Sequence, residues 1–162
     1  MQNPIVEVKH LYHRYSTQWA VEDINFTIDQ VGVIGLLGSN GAGKSTMMNI
    51  ICGVLKQTRG DVLIHGIDTL KDPVRARMNI GFLPQKLPLY PDFTVNEYLR
   101  FCAELRWMDR SIIDKAIRET EERCGVIQMK DRLLKNLSGG YQQRVGIAQA
   151  ILHNPKLVVL DE

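Results

Sequence analysis

The stretch GSNGAGKS, residues 38–45, decides the fold class of this chain. It matches the pattern G-x-x-x-x-G-K-[S/T], in which glycines let the backbone turn tightly so that successive N–H groups face phosphate oxygens. The apolar run VGVIGLL before it, residues 31–37, predicts a strand buried on both faces, and TMMNIICGVL after it predicts a helix. A helix that begins here adds the positive end of its dipole. Strand, glycine-rich loop and helix in this order predict a phosphate-binding loop.

Two side chains at the end of the loop have the chemistry to act on a nucleoside triphosphate. Lys44 can reach the β- and γ-phosphates, and the Ser45 hydroxyl can ligate Mg²⁺. The alternative is a glycine-rich turn that contains a Lys-Ser pair by chance. A strand before the loop and a helix after it favour the phosphate site.

The stretch KLVVLDE, residues 156–162, has the pattern of a buried strand that ends in two carboxylates. Together with a phosphate loop, Asp161 would hold Mg²⁺, directly or through water. Glu162 would orient or deprotonate the attacking water. Taken alone, the same pattern fits any buried strand that is followed by acids.

The composition is ordinary for a globular protein and disfavours nucleic-acid-binding and membrane-spanning proteins. The chain has 162 residues, of which 44% are hydrophobic and 23% charged, enough for one domain with a core. Its 20 basic and 18 acidic residues give a formal net charge of +2, which disfavours a nucleic-acid partner. No apolar run approaches the roughly 18 residues of a membrane-spanning helix, and the N-terminus lacks a signal-peptide pattern, which predicts a cytoplasmic protein. Its three widely spaced cysteines predict reduced thiols.

The remaining chain alternates strands and helices. PIVEV and VEDINFTI predict half-buried antiparallel strands near the N-terminus, and DVLIHG and NIGFLPQ predict further strands. DPVRARM predicts a short helix with Asp72 as N-cap and Pro73 at the first helical position. This order predicts an α/β protein with a mostly parallel sheet.

Two amphipathic helices are predicted between about residues 87 and 134, as a small helical subdomain. Thr94 and Glu97 have the spacing of a capping box at the start of the first helix. The second helix should bury one face, opposite its charged residues. That face comprises Ile112, Ile113, Ala116, Ile117, Thr120 and Cys124.

The stretch LSGG, residues 137–140, predicts a second glycine-bearing helix start, with Ser138 as its N-cap. It is either a capped helix start or a second anion site. Two such sites in one small chain are hard to use on one nucleotide, so a second subunit would have to supply one of them.

Gln85, after the strand GFLP, is either a polar loop residue or a metal and water ligand. Tyr15 is either a core or edge aromatic or a surface on which adenine stacks.

Taken in order, five stretches resemble the nucleotide-binding domain of ABC transporters. RYSTQWAVEDINFTI is similar to the family's adenine-stacking loop, GLLGSNGAGKST to its Walker A motif, GFLPQ to its Q-loop, LSGGYQQR to its signature, and LVVLDE to its Walker B strand with the catalytic glutamate. The resemblance covers the whole chain, and residues 80–106 are most similar to ATPases of ABC-2 type exporters. It implies a P-loop NTPase core, an N-terminal antiparallel β subdomain and an inserted α-helical subdomain.

The resemblance also implies the site residues and the division of an incomplete ATP-binding domain over residues 1–162. Residues 1–86 would form the β subdomain and Walker A core, 87–137 the helical subdomain, and 138–162 the signature helix and Walker B strand. The catalytic residues would be Glu162, Lys44 and Gln85, and the metal ligands Ser45, Gln85 and Asp161. The residues that would bind ATP in the same subunit are Tyr15, Gly38, Ser39, Asn40, Gly41, Ala42, Gly43, Lys44, Ser45 and Thr46. Those that would bind the ATP of a partner subunit are Ser138, Gly139 and Gly140.

The implied function is an ATPase that drives export. Two such domains, identical or different, would pair head to tail around ATP and Mg²⁺ and act on a separate integral membrane permease at its cytoplasmic face. The chain departs from the family at Ser39, where proline is usual, and at Tyr141, where glutamine is usual. It also lacks the family's D-loop and switch histidine after Glu162, so we expect impaired hydrolysis in the chain as given. None of its four histidines matches that switch residue: His10, His13, His65 and His153.

Two alternatives remain. One is a module that binds nucleotide without turnover. The other is a non-transport ABC ATPase of the chromosome-maintenance or translation-factor kind. The first kind inserts a long coiled coil and the second carries two cassettes, and neither feature is present here.

Overall fold

Alternating apolar and polar residues near the N-terminus form two long strands in the computed structural model, which describes residues 3–161. β1 (Val6–Tyr15) and β2 (Gln18–Ile28) pair antiparallel, as the alternation predicts. β3 (Arg59–Ile64) pairs with the other edge of β1, and β4 (Ile67–Asp68) pairs with β3, so the strand order is β2-β1-β3-β4. The two-residue strand β4 was not predicted.

The chain divides into two units, residues 1–80 and 81–162. The first unit contains this sheet and two short helices. α1 (Lys44–Ile51) follows the glycine-rich loop and buries three apolar side chains. α2 (Pro73–Met78) begins as predicted, because the Asp72 carboxylate accepts a hydrogen bond from the backbone N–H of Arg75 and proline occupies the first turn.

The strand predicted over residues 31–37 is wrong. The segment is irregular, and Val31, Val33 and Leu37 are 97%, 102% and 94% exposed. A strand needs neighbours to satisfy its backbone groups and cover its side chains, and no strand of the described residues pairs with this one. The apolar run therefore forms an exposed approach to the glycine-rich loop.

The second unit holds a two-stranded parallel sheet of β5 (Ile80–Leu83) and β6 (Leu157–Leu160), as the two apolar runs predict. α5 (Gly139–Ile151) packs closely on β5, because a Cβ added at Gly146 would come within 2.7 Å of the Leu83 side chain. The side-chain N–H of Gln149 in α5 also donates to the carbonyl of Phe82 at 2.8 Å.

The predicted helical pair is present between these strands, as α3 (Val95–Leu105) and α4 (Arg110–Cys124). The capping box is confirmed: Thr94 Oγ1 accepts from the Glu97 backbone N–H at 3.2 Å, and Glu97 Oε2 accepts from the Thr94 backbone N–H at 2.8 Å. The two helices bury a core together with α5.

The predicted buried face of α4 is right in part. Ile113, Ile117 and Thr120 are buried, but Ile112 is half exposed and Glu121 is buried in its place. Ala116 and Cys124 are partly buried against the same core, so the prediction failed only at the border of the face, where the apolar pattern did not indicate the burial of Glu121.

The three cysteines are free thiols, as predicted. Burial raises the pKa of Cys102 and of Cys124. Among the described residues, no helix has the length and apolar character to cross a bilayer.

Candidate functional site

The glycine-rich loop meets α1 through a backbone turn that only glycine fits. Gly41 and Gly43 have φ of +83° and +84°, in the left-handed region. A Cβ added at Gly43 would lie 2.3 Å from the carbonyl oxygen of Ala20 in β2. The end of the loop is therefore pressed against β2.

Lys44 is the first residue of α1 and turns back over the loop. Its Nζ donates hydrogen bonds to the carbonyl oxygens of Gly38 at 2.8 Å and Ser39 at 2.9 Å. The first turn of α1 contains no acidic residue. A fixed ammonium group and the positive end of a helix dipole thus lie together, an arrangement suited to a phosphate anion.

A cleft of about 230 Å³ lies beside the loop within the first unit. β2 lines one side through Ala20 and Ile24, and the loop and α1 line the other through Ala42, Lys44 and Met47. The cleft combines an apolar wall with the lysine, as small-molecule sites commonly do.

Tyr15 ends β1 near the start of α1. Its hydroxyl lies 3.4 Å from Thr46 Oγ1, and its side chain is half exposed. Its ring makes an edge-to-face contact with the ring of His13, with centroids 4.8 Å apart. An exposed aromatic face and the phosphate-type loop therefore belong to one unit. The sequence did not indicate the His13 contact, although the spacing of two residues in a strand could have revealed it.

Three of the predicted residues form an open surface in the second unit. Ser138, Gly139 and Gly140 are exposed at the start of α5, and a Cβ added at either glycine would meet nothing within 4 Å. Ser138 occupies the N-cap position as predicted, but its hydroxyl makes no capping hydrogen bond to the backbone. The first turn of α5 therefore faces open space, as an anion site on a surface requires.

Gln85 and Asp161 follow the neighbouring parallel strands β5 and β6 at the same edge. The backbone N–H of Asp161 donates to the carbonyl of Leu83 at 2.9 Å, and the Asp161 side chain is buried. Gln85 is exposed two residues beyond Leu83. The predicted catalytic Glu162 lies outside the described residues.

The donor atoms suit the two implied ligands. In the first unit the Ser45 hydroxyl, and in the second unit the Gln85 amide and the Asp161 carboxylate, are each oxygen donors of the type that Mg²⁺ prefers. The open backbone at Gly41, where an added Cβ would meet nothing within 4 Å, and the ammonium of Lys44 suit a phosphate chain. Among residues 3–161, no group of three or more His, Cys, Asp or Glu side chains could hold a metal alone.

A family model described as "ABC transporter" matches residues 21–162, most of the chain. The chain belongs to the ABC transporter family. Its sequence therefore corresponds to an ABC nucleotide-binding domain, and the predicted family is confirmed. Within the described residues, the family match begins inside β2 and covers everything after it, including the glycine-rich loop, α5 and β6.

Curated ABC relatives are similar over nearly the whole chain. The uncharacterized ABC transporter ATP-binding protein YdbJ of Bacillus subtilis is 36% identical over 162 residues, which cover 100% of this chain and 52% of that protein. The probable multidrug ABC transporter ATP-binding protein YbhF of Escherichia coli is 32% identical over 158 residues, which cover 98% of this chain and 27% of that protein. This chain thus spans about half or less of the length of these two relatives.

Solved ABC structures share its fold. An ATP-binding subunit of an ABC transporter is similar with a TM-score of 0.88 at 29% identity, covering 98% of this chain and 66% of that one. A bacterial ABC transporter cassette solved as a dimer is similar with a TM-score of 0.86 at 28% identity, covering 97% and 73%. The predicted α/β fold with a P-loop NTPase core is confirmed.

Proposed function

We propose that the protein is the ATP-binding subunit of an ABC exporter, which binds and hydrolyses ATP to drive transport. The observation that carries the proposal is the meeting of the glycine-rich loop, the Lys44 ammonium and the start of α1 at one point of the first unit. Backbone N–H groups, a fixed cation and a helix dipole all favour a triphosphate there. The names of the relatives support the ATP-binding role.

The loop and its neighbours have separate tasks in ATP binding. Residues 38–46 would bind the phosphate chain through backbone N–H groups, and the Lys44 Nζ would exchange its loop carbonyls for the β- and γ-phosphate oxygens. The half-exposed ring of Tyr15 would stack on adenine. Ser45, Gln85 and Asp161 would hold Mg²⁺, which when bound supplies charge neutralisation for the phosphates.

Hydrolysis would need a second subunit. The first turn of α5, residues 138–140, has open space before it and would bind the triphosphate of the partner, so two chains would pair head to tail. Glu162 would orient or deprotonate the attacking water, and Gln85 would help to position that water. Whether the pair is a homodimer or a heterodimer does not alter these roles.

The membrane partner would be an integral permease that the protein contacts from the cytoplasmic face. The helical subdomain, residues 87–137, and the Gln85 loop would transmit closure of the dimer to it. Residues 1–86 would act as the nucleotide-binding part and 138–162 as the signature and Walker B part. A relative named as a probable multidrug ABC transporter ATP-binding protein supports the export direction, and the balanced charge disfavours nucleic acid.

ATP-driven dimerisation tests the proposal. We expect the Glu162→Gln variant to form a dimer in ATP and Mg²⁺, measured by light scattering, because it would bind ATP and fail to cleave it. The double variant Glu162→Gln with Ser138→Arg is the control and should remain monomeric while still binding ATP, because arginine would block the partner's triphosphate. A Glu162→Gln variant that binds ATP and stays monomeric would contradict the head-to-tail mechanism.

A further inference from the structure

His13 is a buried histidine that the proposed chemistry does not use. Its side chain is 6% exposed, and neither ring nitrogen has a hydrogen-bond partner among the described residues. Burial of a polar ring without partners is unfavourable compared with an apolar side chain of the same size. The position therefore calls for a reason other than core packing.

The neighbour of His13 supplies that reason. His13 and Tyr15 are two residues apart in β1, so both side chains lie on one face of the strand. Their rings meet at 80° with centroids 4.8 Å apart, the edge-to-face geometry that aromatic pairs prefer. His13 is the buried member of the pair and Tyr15 the exposed one.

β1 is irregular at this pair. The pairing of β1 with β2 shifts register on both sides of His13, between Leu11 and His13 and again between His13 and Arg14. Such irregularities bend a strand and redirect its side chains. They lie where β1 carries His13 and then Tyr15 toward the start of α1.

His13 also connects Tyr15 to the phosphate loop. Its cross-strand partner is Val21, and a Cβ added at Gly43 would lie 3.1 Å from Val21 Cγ2. Tyr15 itself approaches Thr46 in the first turn of α1. The Tyr15 ring thus contacts His13, and its hydroxyl lies 3.4 Å from Thr46 Oγ1 in α1.

We propose that His13 is a positioning residue for the nucleotide base, which holds the Tyr15 ring in the orientation for stacking. This inference rests on the proposed function, because Tyr15 must contact the base. His13 itself acts through Tyr15 and does not touch the phosphates.

The test compares a ligand that has a base with one that lacks it. Binding of ATP and of inorganic tripolyphosphate, each with Mg²⁺, is measured by calorimetry on the wild type, His13→Leu and His13→Phe. We expect His13→Leu, which keeps the volume and removes the ring, to weaken ATP binding about two- to tenfold and leave tripolyphosphate binding unchanged. His13→Phe keeps the edge-to-face contact and should bind ATP within about twofold of the wild type.

Tyr15→Ala separates the inference from the proposed function. In that background we expect His13→Leu to cause no further loss of ATP affinity. If Tyr15→Ala weakens ATP binding and His13→Leu does not, the role of His13 is wrong and the proposed function stands. If Tyr15→Ala leaves ATP affinity unchanged, Tyr15 does not contact the base, and the role of His13 falls while the phosphate site of the proposed function stands.

A structural effect of the substitution has a different signature. Equal weakening of ATP and tripolyphosphate by His13→Leu, or a loss that adds to that of Tyr15→Ala, would overturn the positioning role. Thermal unfolding of each variant is measured alongside. Should His13→Leu fail to fold, His13→Met supplies a ringless side chain of similar size for the same comparison.

Discussion

The backbone of Gly43 lies so close to the carbonyl oxygen of Ala20 that an added Cβ would come within 2.3 Å of it. Ala20 belongs to β2, and Gly43 is the last residue before α1. This contact fixes the phosphate-type loop against the N-terminal sheet. The loop geometry thus depends on the first unit's own packing.

Gly43→Ala should therefore damage both stability and nucleotide binding. The substitution adds a left-handed strain of about 1–2 kcal/mol and a collision that only backbone movement can relieve. We expect a loss of more than about 2 kcal/mol in the free energy of unfolding, measured with urea, and weaker ATP binding.

Gly53→Ala is the matched control. Gly53 also has a positive φ, of +67°, but an added Cβ would meet only the flexible side chain of Arg77, at 3.5 Å. We expect a loss of about 1 kcal/mol and unchanged ATP affinity. Equal losses in the two variants would mean that the contact with Ala20 has no special weight.

The capping box predicts the effect of a change at the start of α3. Thr94→Ala removes the hydroxyl that accepts from the Glu97 backbone N–H, and N-cap substitutions of this kind cost about 1 kcal/mol. Urea unfolding measures the loss. Thr94→Ser keeps the hydroxyl and should recover most of it, and no recovery would contradict the capping role.

Glu97 makes that helix start sensitive to acid. Hydrogen bonds from the Thr94 backbone N–H and hydroxyl lower the pKa of Glu97 below its ordinary value of 4.5. A lowered folded-state pKa contributes stability above pH 4.5 that is lost as the pH falls through the folded-state pKa. In Glu97→Gln, the free energy of unfolding should therefore fall less steeply with pH below pH 4.5 than in the wild type. Urea unfolding at several pH values measures this, and an equal pH dependence in the two proteins would contradict the role of Glu97.

Glu121 predicts the opposite pH dependence. Burial in α4 raises its pKa above 4.5, although the Asn96 side chain and the charge of Lys130 oppose this, and Asp131 adds to it. One of its carboxyl oxygens has no partner among the described residues. A raised folded-state pKa favours folding most below pH 4.5, and that contribution is lost as the pH rises through the folded-state pKa.

Glu121→Gln should therefore stabilise the protein at pH 7 by about 1 kcal/mol, with the gain shrinking toward pH 4. Urea unfolding between pH 4 and 8 measures it. Glu122→Gln is the control, because Glu122 is exposed and pairs with Arg118 at 3.2 Å, a surface contact of little weight. A glutamine at position 121 that destabilises at pH 7 would refute the effect.

Local patterns predicted most of the elements because their causes are local. Asp72 before Pro73 and Thr94 three residues before Glu97 satisfy helix-start N–H groups by themselves, so the spacing was sufficient. The alternation in β1 and β2 likewise follows from one buried face.

Features that depend on residues far apart in the sequence could not be predicted from local patterns. Residues 31–37 have the composition of a buried strand, but a strand forms only where a neighbour pairs with it. The burial of Glu121 instead of Ile112 depends on how α4 lies against α3 and α5. The spacing of the loop motif predicted a phosphate site, but not the contact between Gly43 and Ala20.

The central claim is that residues 38–46 form an ATP site in which Lys44 holds the phosphates. Calorimetric titration of MgATP into the wild type and Lys44→Ala tests it most directly, with Lys56→Ala as a control that removes the same charge from an exposed position. We expect Lys44→Ala to weaken binding about tenfold or more, since a charge-assisted hydrogen bond is lost, and Lys56→Ala to bind like the wild type. Equal affinity of the wild type and Lys44→Ala, or no ATP binding by the folded wild type, would contradict the claim.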